Sequence, residues 1–174
     1  MAPGLSLNEL IEYTDWERSK WHESLQQRGD AVLTLAVGTH GDGRFKTLGD
    51  LIRHIFSAEK RYIDRLANRP LTDPASIPSA SLQSIFDFGN GSRSDLKKFV
   101  SAFPEHAWNV PQEFTLMNNS LSATPRKIVA HVLLHEIRHW AQIGTLLRLN
   151  GMPGDFHDFL FSPVLGGEIR RSAS

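Results

Sequence analysis

The chain has 174 residues, 40% of them hydrophobic and 22% charged. That suits one domain around one core, expected to span 1–174. Nineteen Lys and Arg balance nineteen Asp and Glu, and no basic block or stripe points to a nucleic-acid partner. Cysteine is absent, which excludes disulfides and thiolate ligands, so any metal must be held by His, Asp or Glu.

The opening stretch, MAPGLSLNELIEYTDWERSK, lacks the basic and then apolar regions of a signal peptide. No apolar run approaches the ~18 residues of a membrane span. A soluble cytoplasmic protein without a membrane partner is expected. Residues 7–27 read as a helix with Leu10, Tyr13, Trp16, Trp21 and Leu25 as its apolar contacts. Residues 30–45 alternate and then become glycine-rich, which predicts a short strand or an ordered loop. The next helix, 47–66, carries apolar residues at 48, 51, 52, 55, 56, 63 and 66. Thr47 followed by Asp50 resembles a capping box, and Pro70 closes the region.

Residues 82–103 form a weaker helical pattern, because Gly89-Asn90-Gly91 in its middle favours a break or kink. Residues 108–122 alternate twice and read as an extended connection. The last helix, 124–150, opens with Thr124 as N-cap and Pro125 at the first position, and Gly151 and Pro153 stop it. No repeat or interior linker divides the chain. An all-α four-helix bundle of up-and-down style, with long connections, is the economical architecture.

Of the eight histidines, His135 and His139 are the most informative. A step of ~100° per residue places Ile128, Val132, His135, His139, Ile143 and Leu146 on one face, the stripe that meets the core. Two imidazoles one turn apart on such a face need partners, since burying them unsatisfied is costly. Hydrogen bonding could satisfy them, as could a metal, for which neutral imidazole is a suitable ligand. A catalytic metal wants three protein ligands, and His54, beside the apolar stripe of the 47–66 helix, is the best third. His131 flanks the pair, whereas His22, His40, His106 and His157 fall where a solvated histidine is the default.

The stretch HEIRH, 135–139, also matches the H-E-x-x-H pattern of zinc peptidases. In that setting Glu136 would be the catalytic base. It could equally orient an imidazole or pair with a basic group. The longer peptidase pattern fails at Gln142 and Thr145, and Glu168 is a poor downstream ligand. Tyr13, Trp16 and Trp140 are expected in the core more than around a pocket. Asp155 and Asp158 are expected to cap or tether the segment after the last helix, and Arg53, Lys60 and Arg61 to form a solvated helix face.

The order of a Trp-bearing first helix, "TLGDLIRHIFSAEKRYIDRL" with His54, and "ATPRKIVAHVLLHEIRHWAQIGTLLRLNG" followed by "DFHDFLF" resembles the DinB family of DinB/YfiT-like metalloenzymes. The short R-G-Q-like sequence that often follows the last histidine of that pattern is Trp140-Ala141-Gln142 here, so only the glutamine agrees. The resemblance implies a four-helix bundle, often dimeric, whose third helix runs on through Gly89 to Gly91. It also implies one divalent metal (zinc, nickel, iron or manganese) on His54, His135 and His139. Some members of the wider superfamily use that metal to activate a low-molecular-weight thiol, such as bacillithiol or mycothiol, for transfer or isomerisation of a small molecule. A protein without cysteine would need such an external thiol. The alternatives are a metal-dependent hydrolase with Glu136 as base, and a bundle that binds metal or ligand without turnover, as a monomer or a homodimer.

Overall fold

Helix starts are set locally, by side chains that accept the first unpaired backbone N–H groups. Ser6 and Glu9 close a capping box at the start of α1 (Leu7–Gln26), Thr47 and Asp50 do so for α2 (Leu48–Leu66), and Ser81 and Ser84 for α3 (Leu82–Ala102). Thr124 accepts from the Lys127 N–H ahead of α4 (Pro125–Leu149), with proline at the first position. The computed structural model describes residues 4–38, 43–116, 118–153 and 157–166. The four helices make an all-α bundle with one small two-stranded sheet, and among the described residues no helix is long and apolar enough to cross a membrane.

The core forms two apolar clusters. One gathers Trp21 and Leu25, Leu48 to Phe56, Leu82 to Phe86, and Trp140 to Leu147. The other gathers Ile11, Ile63 and Leu66, Leu96, and Ile128 to Leu133. Read along each helix, the first cluster comes late in α1 and α4 but early in α2 and α3. The direction is therefore up, down, down, up, and the expected up-and-down alternation is corrected. Contacts agree: α2 and α3 advance together from Phe56–Phe86 to Lys60–Asp95, as α1 and α4 do from Arg18–Glu136 to Trp21–Trp140. Parallel neighbours require a link that returns along the helix, and residues 67–81 have that reach at about 3.3 Å each.

The long connections are ordered where described. Asp30–Thr34 is a 3₁₀ turn that buries Val32 and Leu33, followed by an isolated bridge between Ala36 and Thr47. An ordered loop, not a strand, fills 30–38. Residues 108–122, expected as an extended connection, include an antiparallel hairpin, β1 (Gln112–Leu116) and β2 (Asn119–Ala123). Asn118, at φ 65°, supplies the left-handed conformation that a two-residue reversal requires. Helix α3 runs unbroken through Gly89-Asn90-Gly91, as the family resemblance implied. The physical reason is packing: a Cβ on Gly89 would lie 2.7–2.8 Å from the Phe56 ring, so glycine lets that large buried ring lie against the helix.

Candidate metal centre

Helices α2 and α4 pass antiparallel to each other, and their facing sides bring His54, His135 and His139 together. The Nε2 atoms of His54 and His135 are 3.1 Å apart, and those of His135 and His139 3.0 Å apart. Ligands about 2.1 Å from one ion lie about 3.0–3.4 Å from one another, from octahedral to tetrahedral geometry. The spacing fits a single cation. One ring proton on His135 cannot serve both of its short contacts well, whereas a cation accepts a lone pair from all three rings. These three are the cluster of histidine and acidic groups, among the described residues, whose donor atoms could hold a metal ion.

Protonation favours the same fit. Burial, followed by the neighbouring His139 and His54, pushes the His135 imidazole down to about 2, so it presents itself neutral, as a metal ligand must. The Nδ1 of His139 donates to Gln142 Oε1 at 2.5 Å, which fixes the ring proton on Nδ1 and leaves Nε2 as the donor atom. Gln142 is the one residue of 140–142 that agrees with the family pattern. Its role was not foreseen, although its position three residues after His139 on the same helix face is the signal that could have shown it.

His54 and His135 lie at the wall of a cavity of about 730 Å³, lined also by His131, Phe45 and Tyr62 among others, while His139 is buried. Phe45 packs on His54 with ring centroids 4.7 Å apart and meets His139 edge-on at 6.2 Å. His131 stands one turn before His135 with its ring centroid 5.7 Å away. The remaining histidines are scattered. His106 is exposed, as expected, but His22 stacks on Phe86 and His157 on Trp21, so neither is simply solvated. His40, Asp155 and Glu168 lie outside the described residues, while Asp158 caps the turn Phe159–Phe161 as expected.

Glu136 faces a different neighbourhood. It is 2% exposed, and its Oε1 accepts from Arg18 Nε at 2.9 Å and Trp140 Nε1 at 3.0 Å. Its Oε2 accepts from Arg18 Nη2 at 2.8 Å and Arg93 Nη2 at 2.5 Å. Both arginines also donate to Glu59 Oε2. Burial alone would push the Glu136 carboxyl up, but the Arg18 and Arg93 guanidinium groups outweigh it and hold the group below the usual carboxylate range. Each helix contributes one member of this buried layer, Arg18, Glu59, Arg93 and Glu136, and in each helix the layer separates the two apolar clusters. Sequence reasoning missed Arg18, Glu59 and Arg93. The available signal was a charged residue at a core position of every helix, such as Glu59 between Phe56 and Ile63.

A four-helix bundle with three convergent histidines between its second and fourth helices defines the class of protein: a bundle whose side chains can hold a metal ion. The DinB family model matches residues 4–164, nearly the whole chain. The protein belongs to the DinB family. No curated protein matches the sequence closely enough to count as a relative.

Proposed function

We propose that the protein is a metal-dependent enzyme in which His54, His135 and His139 hold one divalent cation (zinc, nickel, iron or manganese). Its reaction is the activation of an external low-molecular-weight thiol for S-transfer to, or isomerisation of, a small electrophile. The observation that carries the reading is the convergence of three histidine donor atoms, with His54 and His135 lining a cavity within the size range of small-molecule sites, about 300–1,000 Å³. When bound, the cation stabilises the thiolate, the nucleophilic form of a thiol. The chain supplies no cysteine, so the thiol comes from solution. Gln142 holds the His139 tautomer, and Phe45 sets an apolar ring against two of the three histidines.

Hydrolysis with Glu136 as base is the weaker reading, because both of its oxygens are engaged by Arg18, Arg93 and Trp140. A base so held has to break charge-assisted bonds before it can take a proton. The deciding experiment presents metal-loaded protein with a panel of cysteine-based thiols and alkyl halides, beside a panel of esters and amides. Metal-dependent loss of thiol that disappears in His135→Ala supports the proposal. Ester or amide turnover that disappears in Glu136→Gln, with the thiol panel inert, supports hydrolysis. Tight metal retention with both panels inert supports a binding module.

A further inference from the structure

The wall of the cavity beside the histidines is strongly basic. Arg44, Lys46, Arg53, Arg61, Arg65 and Arg138 line it, and Asp50 is the one carboxylate that joins them among the described residues. Asp50 is already committed to the start of α2, where it accepts from the Lys46 and Thr47 N–H groups. Six of nineteen cationic side chains thus meet at one cavity of a protein whose formal net charge is zero.

The manner in which these arginines are held is more telling than their number. Arg53 donates to the carbonyls of Pro74 and Ile77, Arg61 to that of Thr72, and Arg65 to that of Arg61. Carbonyl tethers fix a guanidinium in place without neutralising it. Four basic side chains elsewhere meet carboxylates instead: Arg18 and Arg93 meet Glu59 and Glu136, while Lys60 and Arg69 meet Asp64 and Asp95. The division runs along a single helix. Residues 53, 57, 61 and 65 follow one another at four-residue steps toward the cavity, while Lys60 points to its acidic partners. Arg138 completes the wall from α4, with Nη2 3.4 Å from His139 Nε2. Burial, followed by the charge of Arg61, disfavours the charged form of Arg65, and Tyr62 and Asp64 only partly offset this.

We propose that this cavity binds a small molecule bearing two or more oxyanion charges, carboxylate or phosphate, through Arg53, Arg61 and Arg65 of α2 and Arg138 of α4. This names the substrate class of the site and rests on the reading of the histidine cluster as a metal-dependent active centre. Guanidinium groups suit the task because their planar fork pairs with two oxygens at once. The anion anchors one end of the molecule along α2, and the other end reaches the histidines.

The test is calorimetric titration of the full-length protein, stripped of metal by chelator, at low ionic strength. Succinate, inorganic phosphate and uncharged succinamide are the probes. At least one anion should bind at least tenfold more tightly than succinamide, and the stronger of the two identifies the headgroup. The doubly substituted Arg61→Gln, Arg65→Gln protein should lose at least tenfold in that affinity, and Arg138→Gln at least threefold. Arg138 is exposed and serves as the second variant if the double substitution disturbs the fold, as read by circular dichroism. Equal binding of anions and succinamide, or anion binding unchanged in both variants, overturns the proposal. So does anion binding that requires added metal and vanishes in His135→Ala alone. Because the readout needs neither metal nor turnover, anion binding with an inert thiol panel would leave the basic wall standing and remove only the thiol reaction.

Discussion

His54 and His135 stand 81 positions apart and bring their Nε2 atoms to 3.1 Å. Neither helix alone could make this contact. It exists because α2 and α4 pack antiparallel and the apolar stripes on both run beside the histidines. The third nitrogen, on His139, is aimed by a neighbour on its own helix, through the bond from its Nδ1 to Gln142.

Gln142→Leu should therefore weaken metal binding without abolishing it. An imidazole that loses its outer hydrogen bond loses its fixed tautomer and orientation, an effect of about 10–100-fold in affinity. Competition against a chelator of known affinity measures this, and one metal per chain should still be reached at saturation. Loss of the site altogether would show that Gln142 does more than orient His139.

Glu136 should prove structural in denaturation experiments. Glu136→Ala leaves the Arg18 and Arg93 guanidinium groups buried with too little opposing charge, and removing one partner from such a pair costs about 3–5 kcal/mol. Urea unfolding monitored by circular dichroism gives the value. A change below about 1 kcal/mol would contradict the role of the four-helix charge layer.

Two glycines only two residues apart should respond in opposite directions. A Cβ on Gly89 meets the Phe56 ring at 2.7–2.8 Å, whereas one on Gly91 meets nothing within 4 Å. Gly91→Ala should stabilise by up to about 1 kcal/mol through helix propensity. Gly89→Ala should destabilise by about 1–3 kcal/mol through overpacking. Thermal unfolding of the two variants side by side checks the pair.

Glu17 should make stability depend on pH. Its carboxyl is pushed up to about 7 by burial; Trp21 opposes the rise, Glu136 adds to it, and Tyr13 opposes it again. The folded state then holds a proton that the unfolded chain, near 4.5, has released. Across that window the folded form binds more protons, so stability from this group falls as pH rises from about 4.5 to about 7. Glu17→Gln should flatten that slope. An unchanged slope in the variant would place the dependence elsewhere.

Much of this was legible in the sequence because it is local. The capping residues Thr47 and Thr124, the apolar stripe of α2 and the 3.6-residue step that pairs His135 with His139 are read within one helix. The choice of His54 required only that two apolar faces meet. Helix direction was not legible, because it depends on whether residues 67–81 double back or run the length of the bundle. Gly89 misled for a related reason: its value lies in the ring of Phe56 on another helix. The hairpin near Asn118 was missed because two short alternations do not reveal that they pair. The basic wall looked like a solvated face, since Arg53 and Arg61 acquire their meaning only when Arg138 arrives from α4.

The central claim is that the three histidines hold one metal ion together. Elemental analysis of the purified protein beside His54→Ala, His135→Ala and His139→Ala, each folded by circular dichroism, tests it most directly. About one divalent metal per chain in the wild type, falling to near zero in every variant, is the predicted result. A wild type that takes up no metal when supplied, or a metal content that survives His135→Ala, would contradict it.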